Sequence, residues 1–317
     1  MQNYTCDKTR IRETIAQFGV AIVPGVLNAS EIAEMQTGMF DTLEHITQKF
    51  ETPIDRTNPK TFVEMFKLYP SHGMLFQHWQ IGHNQFVWNL RQNPKVVDLF
   101  ASIWDTKPGN LLTSFDGASF HLPSEITKRG NFGGFWYHTD QSYTRPEFEC
   151  VQSWVTGFDV NEGDATLAFI EGSHKFHDEF RQQFKVTDKS DWYPVKDKQL
   201  EFYKEKCLKE QKIVCPAGSI VLWDSRVIHC GVPQMKTREK PNFRCVVYIC
   251  MTPRDRCTEA NLRKKQQAFE DLRMTSHWPH KPKLFPINPQ TYGKALPETV
   301  GFTHPDLTDL GAKLAGF

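Results

Sequence analysis

His138 and Asp140 stand two residues apart in the stretch FWYHTDQ, and an imidazole beside a carboxylate is the start of a metal or acid–base site. In an extended chain, side chains at i and i+2 point to the same face, so both groups reach one point while Thr139 faces away. Taken alone, the pair reads more readily as a hydrogen-bonded histidine at a strand end followed by an aspartate in a turn. A stable iron site needs a third donor. GSIVLWDSRVIHCG supplies one: His229 ends another short apolar run, 89 residues after Asp140. Two histidines and one carboxylate, with the opposite positions open, suit non-haem Fe(II) that must also bind an oxidant and a co-substrate.

Fifteen residues beyond His229, Arg244 enters the apolar run FRCVVYICM. A guanidinium on such a strand is costly to bury unless a carboxylate meets it. Its planar fork matches a carboxylate bidentately, so a dicarboxylate co-substrate fits. In CVQSWVTGF, Trp154 reads as core or as ligand-facing, and Gln152 and Thr156 share its face if the alternation holds. Gln152 then points into the fold, toward a co-substrate or substrate, or sits at its rim. Arg91 and Asp116 are charges in apolar surroundings, which structural ion pairs explain as readily as substrate contacts. Lys128 and Arg129 read as a solvated pair in a loop. His121, His174, His177 and the histidines of HWPH read as hydrogen-bonded structural residues.

The elements that must position these groups change in kind along the chain. Ile11, Ile15 and Phe18 fall on one helical face, and Gly19 stands where that helix stops. The short strand VAIV follows. Asn28 and Glu31 have capping-box spacing, and Ile32, Met35, Met39, Leu43, Ile46 and Phe50 continue an apolar stripe, predicting a long amphipathic helix. Asn93-Pro94 opens another helix. From residue 111 the texture turns to short β-type runs separated by NEGD and PAG, with a helical insertion at 174–206. Eight or so such strands predict a mainly β fold with flanking helices, a double-stranded β-helix of the cupin-like jelly-roll type. Thr252-Pro253 is read as the start of a charged helix to Arg273, and the Pro-rich tail as a wrap over the domain. The expectation is one domain over 1–317: a mainly helical flank at 1–110, a jelly-roll core at 111–251, and a helix and tail at 252–317.

The 317 residues carry 38 Lys plus Arg against 37 Asp plus Glu. A net charge of +1 supplies no field to favour nucleic acid or an anionic membrane. The first residues lack the apolar core of a signal peptide, and no run approaches the roughly 20 apolar residues of a membrane span, so a soluble cytoplasmic protein is expected. The eight cysteines are scattered without a Cys-x-x-Cys pair, as free thiols in a reducing compartment would be. Nothing in the composition fixes the oligomeric state.

In chain order, the phrase FGVAIVPGVLNASEI, His138-Thr139-Asp140, CVQSWV, the EGSHK turn, GSIVLWDSRVIH and Phe243-Arg244 resemble the phytanoyl-CoA dioxygenase family of Fe(II)- and 2-oxoglutarate-dependent oxygenases, over residues 15–251. The resemblance implies that His138, Asp140 and His229 hold the iron, that Arg244 binds the far carboxylate of 2-oxoglutarate, and that Trp154 lies near that co-substrate. It implies O₂-dependent hydroxylation of a small-molecule or acyl substrate, with release of succinate and CO₂. The alternative is a jelly roll that binds metal and 2-oxoglutarate without turnover. The chain departs from the family pattern at Val246, where a Ser or Thr often follows the arginine by two, so another hydroxyl such as Thr156 would have to help. Glu171 replaces the usual proline of the Gly-Ser-His turn, and Arg244 follows His229 at wider spacing than in many relatives.

Overall fold

The computed structural model describes residues 2–70, 75–129 and 136–317. Its strands are β1 (Val20–Val23), β2 (Leu75–Phe76), β3 (Leu111–Thr113), β4 (Ala118–His121), β5 (His138–Thr139), β6 (Val151–Thr156), β7 (Thr166–Ile170), β8 (Tyr193–Pro194), β9 (Glu210–Lys212), β10 (Ile220–Asp224), β11 (His229–Val232) and β12 (Arg244–Pro253). They form two antiparallel sheets. The seven-stranded sheet runs β1-β10-β6-β12-β4-β2, with β3 also on β12, and the five-stranded sheet runs β8-β5-β11-β7-β9. Strands distant in sequence are thus neighbours, as a jelly roll requires. The fold is mainly β with flanking helices, a double-stranded β-helix.

Three apolar layers explain why the strands read as nearly unbroken apolar runs. Between the sheets, Val20, Trp154, Val221, Trp223 and Val246 of the large sheet meet Leu167 and Phe169 of the small one. The opposite face of the large sheet, with Ala21, Val155, Leu222 and Val247, is covered by Met35, Met39, Leu43, Val97 and Phe100 from helices. The outer face of the small sheet, with Ala168, Ile170 and Cys230, packs under Phe180, Phe202 and Tyr203. The central strands are therefore covered on both sides, while the edge strands β8 and β9 are partly exposed.

The amino-terminal helix spans Ile11–Phe18 and ends at Gly19, whose φ of 83° lets its N–H reach Ile15 O. The capping box forms: Asn28 accepts from Glu31 N at 3.0 Å while Glu31 accepts from Asn28 N at 2.7 Å. That helix, Ala29–Ile46, stops short of Phe50. Thr47 ends it, its hydroxyl donating to Leu43 O at 2.7 Å and accepting from Ile54 N at 3.0 Å. The helix Pro94–Trp104 begins at Asn93 as read. The insertion is two helices, His177–Phe184 and Asp197–Glu205, with β8 between them. The charged helix starts later than its Thr-Pro signal. β12 continues through Thr252 and Pro253 because both pair with β3, and Thr258 caps the helix Glu259–Glu270. Phe135, the first residue of the FWYHTDQ stretch, lies outside the described residues. The eight cysteines are free thiols, and among the described residues no helix is long and apolar enough to cross a membrane.

Candidate metal and co-substrate site

Pairing of β5 with β11 sets His138 directly opposite His229 in the small sheet. Their rings lie 4.4 Å apart. Each ring is oriented by its own backbone: His138 Nδ1 donates to Trp136 O at 3.1 Å and His229 Nδ1 to Val227 O at 2.9 Å. Both Nε2 atoms thereby keep a lone pair for a shared point, the arrangement that a metal-ligating histidine needs. Asp140 closes the triangle, with His138 Nε2 3.6 Å from Oδ1 and His229 Nε2 3.3 Å from Oδ2. One donor atom from each residue lies within 4.8 Å of the others, and all three residues are buried.

Asp140 leaves β5 and is pinned there. Its N–H donates to Ser225 O at 3.0 Å. Gln152, from β6 of the opposite sheet, donates its amide to Asp140 Oδ2 at 3.0 Å. Burial alone would raise the Asp140 carboxyl, but His138, His229 and His277 more than offset it and hold the group well below the usual carboxylate range. Burial, helped by the nearby His138, lowers the His229 imidazolium and favours the neutral ring. Both shifts keep the donors in the forms that bind a cation. Trp136 stacks on His138 with ring centroids 4.6 Å apart, its indole N–H fixed on Gly231 O at 3.1 Å. Trp192, half exposed, stands 5.9 Å from the same imidazole.

Arg244 lies further along the interior. Register between β6 and β12 sets Gln152 opposite Cys250, Trp154 opposite Tyr248 and Thr156 opposite Val246. Arg244 reaches inward over Trp154, with its guanidinium carbon 5.5 Å from the ring centroid. It is buried and donates to Ala165 O at 2.9 Å and Ser119 Oγ at 3.3 Å. Tyr248 also hydrogen-bonds to it, although burial, the first influence on that phenol, raises it. Asp164, which lines the same small cavity, is already paired with Arg238 at 2.9 Å. Among the described residues no ion pair includes Arg244. Trp154, fully buried, has an indole N–H without a hydrogen-bond partner. A buried guanidinium and an orphaned indole donor together call for an anionic guest.

The structure brings His138, Asp140, His229 and Gln152 together, and separately Arg244 with Trp154. The hydroxyl of Thr156 turns to Phe158 O at 2.6 Å instead, so the hydroxyls that meet Arg244 are those of Ser119 and Tyr248. Sequence reasoning missed both. Ser119 lies on β4 beside β12, and Tyr248 is four residues after the arginine on the same strand face, a period-2 signal that could have marked it. Arg91 and Asp116 do not pair through the Asp116 carboxylate: Arg91 donates to the carbonyls of Gly82 and Asp116. Lys128 donates to Glu125 O and Arg129 lies over Phe66. His174 and His177 hold Ala16 O and Ser142 O, while His277 of HWPH comes within 3.3 Å of Asp140 O.

The model of the phytanoyl-CoA dioxygenase (PhyH) family matches residues 15–235, more than half of the chain. The chain belongs to this family. Fe(II), 2-oxoglutarate and O₂ are the cofactors of phytanoyl-CoA dioxygenases, and the donor set and orphaned cation described above fit them. A relative, Ava biosynthesis cluster protein O of Aspergillus versicolor, is 28% identical over 212 residues, 64% of this chain. The match spans 66% of that relative's length, just under two thirds. Among solved structures, a hypothetical protein of Escherichia coli is 16% identical with a TM-score of 0.62, covering 99% of this chain and 85% of the other. AviO1 of Streptomyces viridochromogenes Tue57 is 11% identical with a TM-score of 0.50, covering 80% and 96%. At such identities the likeness is one of fold.

Proposed function

We propose that this chain is an Fe(II)- and 2-oxoglutarate-dependent oxygenase that hydroxylates a carbon of a small molecule, converting 2-oxoglutarate to succinate and CO₂. The observation that carries the reading is the convergence of two Nε2 lone pairs and one carboxylate, with a buried arginine that no described carboxylate meets further along the same interior. His138, Asp140 and His229 would hold the metal, and Arg244 the far carboxylate of the co-substrate. Bound iron supplies the activation of O₂ that oxidative decarboxylation of the co-substrate requires.

The chain's own contribution is position. Gln152 and Trp154 point the same way from β6, about 6.8 Å apart along the strand, at roughly 3.4 Å per residue. Gln152 touches the metal carboxylate and Trp154 touches the arginine. That spacing is the length scale of a five-carbon dicarboxylate. Ser119 and Tyr248 orient the guanidinium fork, and the Trp154 N–H offers the guest a further donor. The apolar walls of Val221, Val246 and Phe169 keep water from the interior. A near-neutral chain favours a small molecule over nucleic acid, and the name of the Aspergillus relative, which places that protein in a biosynthesis cluster, supports the same choice.

The test is a metabolite screen scored by Fe(II)-dependent succinate formation. A compound that raises succinate release in step with its own oxidation supports the reading. Binding of metal and 2-oxoglutarate, with no compound raising succinate above the iron-free control, would leave a binding protein instead.

A further inference from the structure

Asp116 is a buried carboxyl that belongs neither to the donor triad nor to an ion pair among the described residues. It lies in the turn between β3 and β4, 8% exposed, with one oxygen accepting from Gly117 N at 3.0 Å. The cation beside it does not neutralise it: Arg91, fully buried, spends its terminal nitrogens on the carbonyls of Gly82 and Asp116. The backbone here is locked from three sides. A Cβ at Gly117 would stand 1.8 Å from Phe76 O, and one at Gly82 would stand 2.4 Å from Asp116 O, so glycine alone allows these segments to close. Phe115 N donates to Thr275 Oγ1 at 3.0 Å from the other side.

This rigid turn lies beside the part of β12 that pairs with Gln152 and Trp154 of β6. Ser114 N donates to Cys250 O at 2.8 Å and Tyr248 N to Gly117 O at 3.1 Å, so residues 114–117 run beside β12. On the other edge of β12, Gln152 stands opposite Cys250 and holds Asp140. The charges that act on the Asp116 carboxyl are those of His277, Arg91 and Asp140, and it acts in turn on Tyr248. A preorganised buried carboxyl whose one described hydrogen bond comes from Gly117 N, beside a candidate metal centre, has the properties of a specificity contact.

We propose that Asp116 recognises a neutral hydrogen-bonding group of the substrate, a hydroxyl or a carbonyl, at the metal centre. The assignment rests on the oxygenase reading above. Burial, and with it the charge of Asp140, raises the Asp116 carboxyl above its ordinary value against the opposing pull of His277, the Gly117 N–H and Arg91. Burial disfavours the charged form, and a carboxyl accepts from a hydroxyl and, where it carries its proton, also donates to a hydroxyl or carbonyl.

The experiment uses Co(II)-loaded full-length protein with 2-oxoglutarate under argon, and measures paramagnetic NMR broadening of benzyl alcohol, benzamide and benzylamine. The half-exposed Trp192 near His138 gives an aromatic probe a face to rest on. Broadening of the two neutral probes is expected, with Asp116→Ala weakening them about tenfold, the loss of one buried hydrogen bond, and Asp116→Asn retaining most of their affinity. Unchanged binding in Asp116→Ala, preference for benzylamine, or no broadening by a protein that holds Co(II) would each overturn the assignment. If Asp116→Ala does not fold, Asp116→Asn decides, because loss of the neutral probes there also overturns it. Failure of the wild-type protein to take up Co(II) at all is a different result and strikes the oxygenase reading itself.

Discussion

Gln152 of the large sheet donates its side-chain amide at 3.0 Å to Oδ2 of Asp140, the residue just past β5 of the small sheet, so this hydrogen bond ties the two halves of the jelly roll at the candidate metal centre. Gln152→Leu removes that donor and leaves a carboxylate oxygen with less to orient it. We expect Fe(II) affinity to fall by about 10-fold, at the lower end of outer-shell effects, with the fold retained. Anaerobic Fe(II) titration of the variant checks this, and an affinity equal to wild type would mean that Ser225 and the backbone suffice to hold Asp140.

That contact also marks the limit of what the sequence discloses. His138 and Asp140 were legible from the i, i+2 geometry of a strand, and His229 from an apolar run that ends in a histidine. Helix starts at Asn28 and Asn93 were legible because capping is local. The partners of Gln152 and Arg244 were not, since they come from other strands and depend on sheet order. Val246 stands where the family pattern expects a hydroxyl beside the arginine; the hydroxyls that meet Arg244 are that of Tyr248, which only the strand's period of two marks, and that of Ser119, which reaches it through a register no local pattern encodes. The Thr252-Pro253 signal misled for the same reason: pairing with β3 outweighs a local preference for a helix start.

Arg244→Lys replaces a fork with a point charge. The KM for 2-oxoglutarate should rise about 10- to 100-fold, in keeping with about 1.5–3 kcal/mol for a hydrogen bond to a charged group. Tyr248→Phe and Ser119→Ala should each raise it by a smaller factor, about 5-fold, since each removes one neutral donor or acceptor from the guanidinium's surroundings. Succinate formation at varied 2-oxoglutarate measures all three. An unchanged KM in Arg244→Lys would move the co-substrate's anchor to another cation.

Stability should fall as the solution is acidified below neutrality. Burial pulls His83 from its ordinary 6.5 down to about 3, and likewise brings His177 and His280 to about 4. Between these values and 6.5 the unfolded chain binds protons that the folded chain does not, so acidification favours unfolding over that window, by about 1.4 kcal/mol per pH unit for each such histidine. His83→Gln, whose amide can still donate toward Arg273 O, should flatten the slope by about that amount. Urea denaturation at pH 7, 6 and 5 reads it directly, and parallel slopes for variant and wild type would contradict it.

Asp140 also bears on the reaction outcome. A carboxylate in the ligand set leaves no protein-free position for a halide in its place, so turnover in high chloride should give an oxygenated and not a chlorinated product. With ¹⁸O₂, label should enter succinate and, for an alcohol product, the alcohol as well. Mass spectrometry of both products distinguishes these outcomes, and a chlorinated product from the unmodified protein would sink the assignment.

The central claim is that His138, Asp140 and His229 together hold iron. Three protein ligands leave no redundancy. The most direct measurement is anaerobic calorimetric titration of Fe(II) into folded wild-type protein and into the His138→Ala, Asp140→Ala and His229→Ala variants. One equivalent bound by the wild type, with affinity lost by about two orders of magnitude or more in each variant, is the predicted result. Wild-type affinity in all three folded variants would contradict the account.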